Sequence, residues 1–230
     1  MPPVTAHPSQ NFGPRRGGAV VDMIVVHYTA MAETRAVIDW LCNAEAEVSA
    51  HYVICPEGRV WQLVDEAMRA WHAGAGRWGA LEDVNSHSIG IELVNTGGTP
   101  FAEPQMAALE GLLSGLKARH GVPVERIVGH SCIAPGRKID PGARFDWRRL
   151  ALRGLAVWSD AQGAGPVDAA EMAAALATLG YTADVAPEVL LQAFRLRHRP
   201  WGRGALCAAD LARARDLAAR YPVDAAPLLA

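Results

Sequence analysis

Five side chains in this 230-residue chain are of the types used in metal-assisted hydrolysis: His27, Glu92, His130, Lys138 and Asp140. Each falls at the end of a predicted strand or in the loop after one. Residues far apart in sequence can therefore meet above one edge of a sheet. Two histidines and one carboxylate are a common catalytic zinc set, with the fourth tetrahedral position left to water. His27 and His130 each close a predicted buried strand, where a stiff backbone can aim the ring. Asp140 follows a Gly- and Pro-bearing loop, 131–139, that can return a carboxylate to the same ion. The spacing alone equally admits two unrelated histidines, structural or exposed.

Glu92 interrupts the apolar run Ile89-Gly90-Ile91-Glu92-Leu93-Val94. An acid is costly to bury unless paired or protonated. It is either a general base with a raised pKa beside a metal site or a carboxylate on the polar face of a half-buried strand. The alternation of Ile89, Ile91 and Leu93 with Gly90, Glu92 and Val94 permits the second reading. Lys138 is either a cation that stabilises an oxyanion or a solvated surface lysine. A helix-borne H-E-x-x-H word, the mark of many metallopeptidases, does not occur.

The elements that must position these residues alternate between strand and helix. Residues 21–28 (VDMIVVHY) form an apolar, β-branched run that predicts a buried strand. Residues 33–42 have helical spacing, with Val37, Ile38 and Leu41 on one side. Residues 52–54 and 60–64 flank Pro56-Glu57-Gly58-Arg59, a hairpin signal. Residues 88–95 predict another strand, and 103–120 a long helix stopped by Gly121 and Pro123. A short strand, 126–129, leads into His130. This pattern predicts an α/β fold with a mixed central β-sheet flanked by helices, over residues 1–158. Residues 159–167 (SDAQGAGPV) predict a linker. Residues 168–230 predict a small all-α domain of three helices. Asp168 is the N-cap of the first, with Glu171 as capping-box partner and Ala173, Leu176 and Leu179 along its apolar side. Pro187 opens the second, 188–198, and the third spans 208–220.

The net charge of −2 shows no basic excess of the kind nucleic acid binding requires. No apolar stretch approaches the length of a membrane span. The first ten residues have no secretory-signal pattern. Cys42, Cys55, Cys132 and Cys207 show neither CxxC spacing nor a disulfide framework. A chain native from Met1 is therefore expected in the cytoplasm, and one whose export signal has been removed in the periplasm.

Three words carry a family resemblance: His27-Tyr28-Thr29, Ile89-Gly90-Ile91-Glu92-Leu93-Val94-Asn95, and Val128-Gly129-His130-Ser131 continuing through Pro135-Gly136-Arg137-Lys138-Ile139-Asp140-Pro141-Gly142. Trp71-His72-Ala73-Gly74, Asn11-Phe12 and Arg15-Arg16 add to it. Over about residues 8–150 the chain resembles the zinc-dependent type 2 N-acetylmuramoyl-L-alanine amidases, which share their fold with peptidoglycan recognition proteins. The resemblance implies one zinc ion held by His27, His130 and Asp140, with Glu92 and Lys138 catalytic. It implies cleavage between N-acetylmuramic acid, or its 1,6-anhydro form, and L-alanine in a muropeptide or peptidoglycan substrate. The alternative within this fold is a recognition module that binds without cutting. A monomer is expected.

In that setting Trp71 either stacks on a sugar or packs its loop. His72 either contacts substrate or is structural, and Arg137 either meets stem-peptide carboxylates or anchors its loop. Residues 168–230 resemble, through Leu179-Gly180-Tyr181, Ala193-Phe194 and Arg197-His198-Arg199-Pro200, a three-helix peptidoglycan-binding module. Cys132 departs from the pattern, which has Asp there. The expected effects are an altered loop hydrogen bond and a thiol open to oxidation, with a thiolate ligand as the remoter option.

Overall fold

The computed structural model describes residues 2–223. Its strands are β1 Val4–Ala6, β2 Phe12–Pro14, β3 Met23–Tyr28, β4 Tyr52–Ile54, β5 Val60–Gln62, β6 Met68–Ala70, β7 Ser88–Leu93 and β8 Ile127–Gly129. Its α-helices are α1 Thr34–Cys42, α2 Val84–His87, α3 Glu103–His120, α4 His130–Ile133, α5 Trp147–Leu152, α6 Ala169–Leu179, α7 Pro187–His198 and α8 Ala208–Arg220. Six strands make one mixed sheet in the order β1-β5-β4-β7-β3-β8. The β4–β5 hairpin is antiparallel, and the other pairs are parallel. β2 and β6 form a separate antiparallel ribbon. Helices cover both faces, as the apolar central strands require. This is the predicted α/β architecture.

The period of two along each strand sorts side chains between those faces. Ile24, Val26, Ile89, Ile91 and Leu93 point to one side, where α3 seals them with Leu109, Leu112, Leu113 and Leu116. Pro104 lies in the first turn of α3, and Gly121 ends the helix in the left-handed region at φ 67°. The opposite face is shared. Over β4 and β5, α1 lays Val37, Ile38 and Leu41 against Val53 and Leu63. Over β3 and β8, Met23, Val25 and Val128 join one apolar cluster with Leu176, Leu179, Phe194, Leu211 and Leu217 of the C-terminal helices. The strip between these two covers carries His27, Gly90 and Glu92.

The C-terminal helices are stitched to the sheet unit as well as stacked on it. Gly79 N–H donates to Gly180 O at 2.9 Å, and Thr182 Oγ1 donates to Gly79 O at 2.6 Å. A Cβ on Gly180, at φ 107°, would stand 2.5 Å from the Trp78 ring. Asp168 caps α6 through the N–H groups of Ala170 and Glu171. Glu171 is not its capping-box partner, because its carboxylate is drawn across to Arg215 of α8. Ala173 faces solvent. The buried stripe is Met172, Ala175, Leu176 and Leu179, since the sheet and α8 set the rotation of the helix.

Candidate metal centre

His27 and Glu92 are register partners on the adjacent parallel strands β3 and β7, so their side chains leave the same face two residues beyond Val25 and Gly90. His130 follows β8 as the first residue of α4, two positions beyond Val128. Asp140 is returned to it by main-chain pairing: Ser131 N–H donates to Asp140 O at 2.9 Å. The intervening loop turns on Ala134, whose carbonyl accepts the N–H groups of Arg137 and Lys138. The three side chains then converge. His27 Nδ1 lies 3.0 Å from His130 Nδ1, and Asp140 Oδ2 lies 2.9 Å from the first and 3.1 Å from the second. All three residues are buried.

The donor inventory tests whether a cation fits. His130 Nε2 faces the Ala73 carbonyl at 3.0 Å. A carbonyl only accepts, so that nitrogen carries the proton and Nδ1 turns a lone pair inward. A carboxylate oxygen and a ring lone pair held 3.1 Å apart repel unless positive charge lies between them. Ligand atoms of a tetrahedral zinc, at 2.0–2.1 Å from the ion, stand about 3.3 Å apart. The observed separations are within a few tenths of an ångström of that, and two nitrogens with one oxygen are a zinc-type set. Among the described residues this is the one group of His, Cys, Asp or Glu whose ligand atoms so converge.

Glu92 borders this cluster with Oε2 buried and without a hydrogen-bond partner among the described residues. Burial, aided by the Asp140 charge and opposed by Lys138, lifts its carboxyl to about 8. Burial also pushes His27 down to about 4, with His130 acting in the same direction and Asp140 against it. Lys138 is exposed and lines the same cleft, which holds about 520 Å³ and also touches Trp40, Trp71 and Ile139. Trp40 and Ile139 are more than half exposed at its rim, and neither stood out in the sequence.

The remaining candidates separate. Trp71 is half-buried in the cleft wall, its main-chain N–H donating to Ser49 Oγ at 2.9 Å. Arg137 spends its guanidinium on the carbonyls of Ala73 and Ala75. His72 directs one ring nitrogen at His27 and the other at Ser88. Cys132 is fully buried, which contradicts the expectation of a thiol open to oxidation. Lying two residues into the α4 turn, it points away from the cluster and accepts the Tyr181 hydroxyl at 3.5 Å. It is no ligand.

Residues 17–143 match the family described as N-acetylmuramoyl-L-alanine amidase. The N-acetylmuramoyl-L-alanine amidase AmiD of Escherichia coli K12 is 34% identical over 213 residues, covering 78% of this chain and 75% of that protein. The 1,6-anhydro-N-acetylmuramyl-L-alanine amidase AmpD of Haemophilus influenzae is 42% identical over 106 residues, 46% of this chain and 58% of that one. Among solved structures, the chain is similar to E. coli AmiD in complex with anhydro-N-acetylmuramic acid-L-Ala-D-gamma-Glu-L-Lys. The TM-score there is 0.80 at 33% identity, with 94% of this chain and 93% of the other covered.

Proposed function

This chain belongs to the type 2 N-acetylmuramoyl-L-alanine amidases, and from that premise we propose that it acts on anhydro-muropeptides with one zinc ion held by His27, His130 and Asp140. It hydrolyses the amide bond between N-acetylmuramic acid and L-alanine. The observation that carries the zinc assignment is the convergence of three acceptor atoms within 3.1 Å of one another, beside a carboxylate with a buried, unpartnered oxygen.

A zinc ion bound there supplies Lewis acidity, which polarises a carbonyl and acidifies water. Glu92 supplies the proton transfer. A carboxyl whose proton affinity lies near neutrality can take a proton from the attacking water and return it to the departing alanine nitrogen. Lys138, on the open side of the cleft, offsets the negative charge that develops on the former carbonyl oxygen. Arg137 holds the 73–75 loop that walls the site. Trp71 offers an aromatic surface to the sugar.

The test is release of free stem peptide from an anhydro-muramyl tripeptide, followed by mass spectrometry with and without a chelator. Chelator-sensitive release that returns on adding zinc is the expected result. Full turnover in protein stripped of metal refutes the zinc reading, and no turnover by stoichiometrically zinc-loaded protein refutes the substrate. A parallel incubation with intact sacculi separates a recycling role from one in the envelope. Among the described residues no helix is long and apolar enough to cross a membrane.

We also propose that residues 168–230, of which 224–230 lie outside the described residues, form a peptidoglycan-binding unit after the 159–167 linker. Trp201, more than half exposed, lies with its ring centroid 6.1 Å from that of Trp158. Such a pair suits stacking on a sugar ring. Trp201→Ala should weaken retention on sacculi while leaving turnover of the soluble tripeptide intact; unchanged retention refutes this role.

A further inference from the structure

We infer that His72 is a positioning residue for the metal centre: with Ser88 it fixes His27 in the tautomer that bears its proton on Nε2 and turns the Nδ1 lone pair toward the ion. This inference rests on the zinc reading above.

The direction of every hydrogen bond in the chain follows from its far end. Ser88 Oγ lies 2.7 Å from the Val84 carbonyl, which only accepts, so the one hydroxyl proton is spent there. The Ser88 oxygen, 3.1 Å from His72 Nε2, must then accept from that ring. A neutral imidazole that donates from Nε2 has its lone pair on Nδ1. The hydrogen-bond partners of the His72 ring among the described residues are His27 and Ser88, neither of them an acid that would hold a second proton on the ring. His72 Nδ1 is 3.0 Å from His27 Nε2, which must therefore donate. The lone pair of His27 is left on Nδ1, the atom that faces His130 Nδ1 and Asp140 Oδ2.

The seat of the ring is built for this contact. His72 lies against β7 at Gly90, where a Cβ would stand 2.4 Å from the ring's Cγ, so the strand omits a side chain to admit it. Asn85 Oδ1 accepts the main-chain N–H groups of both His72 and Ala73, at 3.0 and 2.9 Å. The Ala73 carbonyl in turn accepts from His130 Nε2. One pinned dipeptide thus orients both ring ligands, the first through a side chain and the second through the main chain. Partners of this kind set the ring orientation and basicity of metal-ligating histidines.

The test compares His72→Leu, which fills space without an acceptor, with His72→Asn, whose Oδ1 restores an acceptor near the Nδ1 position. Zinc affinity is measured by competition with a chelating dye, and the cobalt(II)-substituted spectrum is recorded alongside. His72→Leu should bind zinc about 10- to 100-fold more weakly with a shifted cobalt spectrum. His72→Asn should recover most of the loss. A Leu variant that binds like wild type, or an Asn variant as weak as Leu, overturns the inference. Should the Leu variant not fold, two-bond ¹H–¹⁵N spectra of the zinc-loaded wild type decide. A proton on His27 Nε2 is expected, and metal bound at Nε2 with the proton on Nδ1 overturns the inference. Wild-type protein that binds no zinc would instead bring down the zinc reading itself.

Discussion

Replacing Glu92 with Gln should stabilise the metal-free protein and abolish the turnover of the zinc-loaded one. The carboxyl titrates at about 8 in the fold against 4.5 for an ordinary glutamate, chiefly because it is buried. Its Oε2 has no hydrogen-bond partner among the described residues to offset that burial. The folded value lies above the unfolded one, so the folded chain retains a proton that the unfolded chain releases. The contribution of Glu92 to stability is then greatest below pH 4.5, falls as the pH rises, and levels off above 8. Each pH step costs about 1.4 kcal/mol, so the penalty reaches about 3 kcal/mol at pH 7 and about 5 kcal/mol on the plateau, before discounting for water at the cleft mouth. Gln makes the same contacts without titrating. The variant should therefore match wild type at pH 4 and exceed it by about 2–3 kcal/mol at pH 7, a rise in Tm of roughly 5–10 °C for a chain of this size. Thermal melts from pH 4 to 9 in the presence of chelator measure the difference curve. A difference that stays flat across this range, or a Gln variant less stable at pH 8, would refute the argument that Glu92 is held in a strained, proton-retaining state. A gain in stability with a loss of activity is the behaviour expected of a catalytic group placed where burial disfavours its charge.

Lys138→Ala should lower kcat by about 10²- to 10³-fold, the cost of losing one oxyanion donor, with zinc content unchanged by elemental analysis. His130→Ala should lose both zinc and turnover, in contrast to Glu92→Ala, which should lose turnover and keep zinc. Asp210→Asn should cost about 3–5 kcal/mol, seen as a lower urea midpoint, because it strands the Arg195 and Arg199 guanidinium groups that this fully buried carboxylate pairs; zinc affinity should not move.

The long elements were legible because their apolar periods are long enough to count. The pattern at Val37, Ile38 and Leu41 gave α1, and the β-branched run before His27 gave β3. β1, β2 and β6 span three residues each, too few for any period, and are held by pairing with distant segments. The rotation of α6 was misjudged at Ala173 because the surface it packs on comes from the sheet and from α8, not from its own sequence. In the site, strand ends marked His27 and His130, and an acid in an apolar run marked Glu92. Their convergence depends on the β7-β3-β8 register, which no local pattern states. His72 sits in a loop without periodicity. Its local traces were a glycine at position 90 and a serine at position 88 in a strand that is apolar elsewhere except at Glu92, and neither says which ring fills the space.

The face that bears the His27, His130 and Asp140 cluster is also the one on which the C-terminal helices pack. Along β3, Met23 and Val25 are buried against those helices, and two residues further His27 opens into the cleft. The same step separates Val128 from His130. A sheet face that must be dry at one end and open at the other needs a cover that stops short of the strand ends. α1 supplies one edge of that cover and the C-terminal helices the other, leaving the strip over Gly90 to His72. The stitching of Gly79 to Gly180 and Thr182, and the close approach of Val189, whose Cγ1 would stand 2.9 Å from a Cβ on Gly136, join those helices to both loops that border His27, His130 and Asp140. On this arrangement the helices determine the stiffness of the site's walls, whether or not they also touch glycan. Loosening them should therefore weaken zinc binding, measured by competition with a chelating dye, because Ala73 and Trp78 of one loop and Ile133 and Ala134 of the other are buried in one apolar cluster with those helices.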